Sequence, residues 1–227
     1  MCVYLTAIEH IVDFYDVQQG TSLFNLNRPS LTSQNLSCEH SYHAIRRWCE
    51  TVVNQHHIDG DFCILLAHAV YGWMPTMLTI NPNGKGEDAF YQNAKGIAQK
   101  LQNGSFNWGN IQQQPEDFRE NLARLSCFLN NSYVGVSKFL HFLYPDQYAI
   151  FDSRIRLAFN YSEKITPETT ARRNARGAIN SPAVGQTAFI DYQISIRTYR
   201  NNHTQAGNLR DIELKLYTVG QWLCRQN

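Results

Sequence analysis

No stretch of this chain alternates apolar and polar residues over a useful length, and without that two-residue period strands cannot be its main material. Apolar residues recur instead at intervals of three and four, the spacing of helix faces. An all-α fold is expected. A first helix is read over residues 4–17, ended by Gly20, and a polar Asn- and Ser-rich loop follows to residue 37. The next helix spans 39–55, with Ala44, Ile45, Trp48, Val52 and Val53 inward. Asp61 is read as the cap of a buried helix over 62–71, stopped by Gly72 and Pro75. Further helices are expected over 87–102, 115–130, 134–143, 153–159, 187–200 and 209–224, with another opened by Thr166-Pro167-Glu168. Residues 105–114 read as loop around an isolated Trp108.

At 227 residues the chain is long enough for one large helical domain, 1–227, or for two small lobes packed together. An apolar fraction of 43% with 17% charged residues excludes a disordered chain. The net charge of +1 lends no support to a protein that coats nucleic acid, although a local basic face is compatible with it. The six cysteines, Cys2, Cys38, Cys49, Cys63, Cys127 and Cys224, form no C-x-x-C pair and several lie in apolar helical patterns. They read as reduced thiols of a cytoplasmic protein. Residues 1–15 carry Glu9, His10 and Asp13 at helical spacing, so they read as a helix and not a signal peptide. The apolar run 62–70 is too short to span a bilayer.

The most informative stretch runs from Tyr133 to Arg156. Pro145 stops the helix that contains Lys138, and the apolar run 148–151 then brings the chain back across the core. Asp152 follows, ahead of the helical run 155–159, at an N-cap position. The helix dipole favours an ionised carboxylate there, which suits a group beside a developing cation. A plain N-cap is the simpler reading of Asp152, and a surface lysine with a buried stem is that of Lys138. Arg172, Arg173 and Arg176 form the densest positive cluster, with Arg172 and Arg176 sharing a helix face suited to phosphates or simply to solvent. Arg154 and Arg156 point to different faces, and an ordinary ion pair is the simpler role for them. Cys38, His40 and His43 are close together but lack a second half-site, so no metal is expected. His68 and His141 lie on apolar helices and read as core or pocket-edge histidines. No phosphate-binding Gly-rich loop and no Gly-x-Ser-x-Gly elbow occurs.

Through Val134-Gly135-Val136-Ser137-Lys138 and Ala149-Ile150-Phe151-Asp152 the chain resembles the helix-hairpin-helix DNA glycosylases. In these a glycine-bearing hairpin leads into a helix with a lysine, and an aspartate caps the next helix. It looks most like compact bacterial 8-oxoguanine DNA glycosylase-like proteins associated with antiphage signalling operons. Leu66-Ala-His68-Ala-Val-Tyr71-Gly-Trp73-Met-Pro75 and Leu209-Arg-Asp211-Ile-Glu213 add to that likeness. The resemblance implies a two-lobed helical bundle with a cleft near residues 133–160. It implies an enzyme that excises a modified or oxidised purine from DNA, with no cofactor. Lys138 would form a Schiff base with the sugar, and Asp152 would stabilise the oxocarbenium-like sugar. Gly135, Ser137, His141, Arg154 and Trp73 become candidates for contact with substrate or DNA, with Trp73, Trp108 or Phe142 lining a pocket for a flipped base. Proteins of a defence operon are implied partners. The other reading of the same pattern is a module without chemistry, binding a modified nucleobase, a nucleotide or a partner protein.

Overall fold

Ser132 shows how local sequence starts a helix here. Its backbone is extended (φ −106°, ψ 111°), and its hydroxyl accepts the N–H of Gly135 at 3.1 Å, one of the donors a helix start leaves unpaired. The computed structural model describes residues 3–20, 33–72, 77–78, 86–165 and 182–226. Among them are ten α-helices and one 3-10 turn, and no strand. We label the helices α1 (Val3–Gly20), α2 (Ser33–Asn54), α3 (Gly60–Gly72), α4 (Gly86–Gln102) and α5 (Asn110–Gln113). They continue with α6 (Pro115–Phe128), α7 (Tyr133–Leu143), α8 (Ser153–Ile165), α9 (Pro182–Asn202) and α10 (Leu209–Gln226). The all-α expectation holds. Among the described residues no helix is long and apolar enough to cross a membrane.

Several boundaries differ from expectation for physical reasons. The cap of α3 is Asp59 and not Asp61: its Oδ1 accepts the N–H of Phe62 at 2.8 Å, and Asp61 lies inside the first turn. Helix α2 begins at Ser33, inside the stretch expected to be loop. The expected loop 105–114 contains the single turn α5, and the Trp108 N–H there donates to Oε1 of Gln147 at 2.9 Å. The helix expected from Thr166 lies outside the described residues.

The chain divides into two compact units. One is continuous, Gln34–Gln147, and holds nearly all of α2 together with α3–α7. Here α3 packs on α4 and α7, while α6 packs on α4, α5 and α7. Leu66, Ala67 and Val70 of α3, Ala94 and Ala98 of α4, Leu122 and Leu125 of α6, and Val136, Phe139 and Leu140 of α7 are buried together. Burying each such Leu or Phe is worth about 2 kcal/mol. Trp48 of α2 packs its ring on Phe62 at 5.0 Å.

The other unit is built from both flanks of the first, Met1–Ser33 and Tyr148–Asn227, and holds α1, α8, α9 and α10. Its core takes Ile8, Ile11 and Val12 from α1, Ile155 and Ala158 from α8, Tyr192 and Ile196 from α9, and Ile212 and Leu216 from α10. Helix α10 starts on a reciprocal cap. The Asn208 N–H donates to Asp211 Oδ2 at 2.8 Å, and the Asp211 N–H donates to Asn208 Oδ1 at 2.9 Å. Gly207 precedes it at φ +90°, where a Cβ would stand 2.4 Å from Asp211 Oδ2. Gly220 lets α10 approach α8 so closely that a Cβ there would fall 1.8 Å from the Arg154 carbonyl oxygen.

Candidate functional site

Asp152 stands at the junction of an extended segment and a helix. Its Oδ1 accepts the N–H groups of Arg154 (3.0 Å) and Ile155 (3.1 Å), so the expected N-cap is present at the start of α8. The residue is half-buried, and among the described residues Oδ2 accepts no hydrogen bond. One oxygen is thus committed to the helix start.

Residues 148–151, just before it, are buried without belonging to any helix. A buried main chain must find partners for its N–H and C=O groups. Side chains of α9 and α10 supply them. Gln193 accepts the Ala149 N–H at 2.9 Å and donates to the Ala149 carbonyl at 2.7 Å. Glu213 Oε2 accepts the Ile150 N–H at 2.8 Å, and the Tyr192 hydroxyl donates to the Ile150 carbonyl at 2.9 Å. Glu213 also pairs through Oε1 with Arg210. The Tyr192 ring stacks on Phe151 at 4.6 Å. Burial pushes the Tyr192 hydroxyl well above its ordinary value; the Asp152 charge adds to this and Arg210 opposes it. It therefore remains a donor at neutral pH.

Gly135 is not the left-handed residue of the turn before α7. It lies within the first helical turn, where a Cβ would meet the Tyr71 hydroxyl at 3.2 Å and Leu129 Cβ at 3.3 Å. The turn between α6 and α7 is made by Asn130 and Asn131, both at φ 55°. Asparagine tolerates that region better than other side-chain-bearing residues do. The Asn131 N–H reaches back to Ser126 O at 2.7 Å, and the Tyr71 hydroxyl donates to Leu129 O at 2.6 Å.

Lys138 is only 8% exposed, so the reading as a surface lysine is overturned. Ser137 is fully buried and spends its hydroxyl on the Val134 carbonyl at 2.8 Å. His141 is fully buried too, with Nε2 and the Tyr42 hydroxyl 2.8 Å apart. Phe142 packs in the same cluster, 5.5 Å from the Tyr42 ring, and its carbonyl accepts a hydrogen bond from Arg46. Gly135, Ser137, Lys138 and His141 thus share α7, whereas Asp152 and Arg154 share the start of α8, in the other unit. Trp73, Arg172, Arg173 and Arg176 lie outside the described residues.

Two of the cysteines are enclosed in the core. Burial pushes the Cys49 and Cys63 thiols up to about 12, so neither is a thiolate at neutral pH. Among the described residues no group of three His, Cys, Asp or Glu side chains is arranged to hold a metal ion. His40 and His43 are exposed.

Sequence reasoning missed the roles of Tyr192, Gln193 and Glu213. The one signal was indirect: a buried run without a strand partner needs polar side chains to serve its backbone. No known protein family, no curated protein and no solved structure matches the chain.

Proposed function

We propose that this protein is a DNA N-glycosylase of the helix-hairpin-helix kind, excising a modified or oxidised purine such as 8-oxoguanine. The observation that carries the reading is Asp152: a half-buried carboxylate at a helix start, delivered by a buried segment, with one oxygen outside the cap. The α6–α7 helical hairpin, with a lysine, Lys138, on its second helix, supports it.

The target nucleotide is flipped from the stack into a pocket. As the N-glycosidic bond breaks, its electron pair leaves with the purine, which takes a proton from solvent. The sugar C1′ gains oxocarbenium character, and the Asp152 carboxylate stabilises that charge. On the lyase route the neutral Lys138 amine adds its lone pair to C1′, forming a new C–N bond. The proton shed by that nitrogen passes to the ring oxygen as the sugar opens to the Schiff base.

The test is borohydride trapping on duplex DNA carrying 8-oxoguanine, with single-turnover base release measured alongside. Asp152→Asn is expected to slow base release by roughly a hundredfold or more. A trapped adduct lost in Lys138→Ala identifies the nucleophile, and undiminished release by Asp152→Asn removes the reading.

A second reading is favoured by the enclosure of Lys138, since a nucleophile must come within about 3–3.5 Å of the sugar carbon. The same architecture then binds a modified nucleobase, a nucleotide or a partner protein without chemistry. Binding without turnover, and with little salt dependence, would distinguish this module from a phosphate-gripping enzyme.

A further inference from the structure

We propose that Gln193, Tyr192 and Glu213 are positioning residues that fix the Asp152 carboxylate for base excision, an inference that rests on the glycosylase reading above. Both main-chain groups of Ala149 and both of Ile150 are taken by these three side chains, two from α9 and one from α10. All three residues are buried, with Gln193 and Tyr192 at 0% exposure and Glu213 at 2%. Gln193 acts as a substitute strand edge, since one amide supplies both acceptor and donor to one residue. The clamp ends two residues before Asp152, and the intervening Phe151 is stacked on Tyr192.

Downstream of Asp152 the chain is fixed as well. Its carboxylate ties down the N–H groups of Arg154 and Ile155, and the Arg154 carbonyl is pressed against Gly220. Asp152 is therefore held from both sides by helices distant in sequence. A partly buried ion pair such as Glu213–Arg210 is a poor source of stability compared with apolar packing of equal volume. A fully satisfied polar network does, however, specify one geometry. Displacing a reacting group by about 1 Å costs on the order of a hundredfold in rate, so geometry is what such a network contributes here.

The experiment uses the full chain, isotope-labelled, in two arms. In the first, amide hydrogen exchange is followed at Ile155, whose N–H is held by Asp152. Gln193→Met is expected to speed that exchange by roughly tenfold while Leu140 in α7 is unchanged. Glu213→Gln keeps an acceptor for the Ile150 N–H and should stay within about threefold of the natural protein. Should Gln193→Met fail to fold, Tyr192→Phe removes only the donor to the Ile150 carbonyl and is expected to speed Ile155 exchange in the same sense. Unaltered Ile155 exchange in the folded variant overturns the clamp.

In the second arm, Gln193→Met should slow single-turnover base release by roughly tenfold or more, with DNA affinity held within about twofold. The same substitution in an Asp152→Asn background should bring no further loss, because Gln193 acts through Asp152. An equal loss in both backgrounds, or an affinity change that accounts for the whole effect, overturns the positioning role. A natural protein that releases no base removes the glycosylase reading, while the exchange arm still decides the clamp.

Discussion

The connections on either side of α7 solve the same problem in opposite ways. Between α6 and α7 the chain turns in four residues, 129–132, and its main chain is served mainly by neighbours. Asn131 bonds back to Ser126, Ser132 to Leu129, and Gly135 to the Ser132 hydroxyl; from farther off come the Tyr71 hydroxyl on Leu129 O and the bond of the Asn130 side-chain amide to Met77 O. Ahead of α8 the buried segment 148–151 depends on Tyr192, Gln193 and Glu213, 42 to 63 positions away. The first connection is a product of local turn chemistry and can form as soon as its residues meet. The second exists only when α9 and α10 are in place. The cost of error differs accordingly, since a buried donor stripped of its acceptor loses its hydration without return.

Removing Glu213 should break that contrast most sharply. Glu213→Leu leaves the Ile150 N–H and the Arg210 charge without their carboxylate, and is expected to cost about 3 kcal/mol in urea unfolding. A cost below that of an ordinary surface substitution would mean that the segment is held by packing alone.

A smaller effect is expected at alkaline pH. Tyr192 and Tyr71 are both raised by burial, Tyr71 to about 12, while an unfolded tyrosine ionises near 10. The fold keeps the proton that the unfolded chain releases. Their contribution is therefore complete below pH 10 and is lost as pH rises, at about 1.4 kcal/mol per pH unit for each group. Tyr192→Phe and Tyr71→Phe should each flatten the fall in stability above pH 10, as read from unfolding midpoints.

The least change belongs to the local turn. Asn131→Ala should cost about 1 kcal/mol because its φ is positive, while Asn131→Gly leaves stability unaltered or slightly raised, as thermal unfolding would report.

The same contrast decides what could be read from the amino-acid order. Helix periods, the stop at Pro145 and the Asp152 cap are short-range patterns, and they stand where expected. Asp59 and Asp61 are two residues apart, and a pattern cannot say which takes the cap without the backbone angles. The helix expected over 134–143 holds Gly135 as found, but nothing in the amino-acid order marks Asn130 and Asn131 as the pair that makes the turn before it. Lys138 sits between Ser137 and Phe139 on a helix buried nearly all round, so no polar face existed to place it on. Gln193 and Glu213 lie on helices for which the amino-acid order indicates a range and no buried polar position. Only the packing of α9 and α10 against 148–151 turns them inward. Glu213 falls in the Leu209–Glu213 motif, yet nothing in that motif indicates a backbone partner at Ile150.

The close approach at Gly220 also orders events during synthesis. The continuous unit, Gln34–Gln147, can collapse while residues 148 onward are still inside the ribosome, because all of its parts have already emerged. The start of α8 cannot. The carbonyl of Arg154 meets its neighbour only after residue 220 has left the exit tunnel and α10 has wound against α8. Until then the chain carries Asp152 without the surroundings that fix it. A nascent or truncated product ending before α10 would keep a folded half and an unassembled one, with Asp152 lacking the neighbours that fix it.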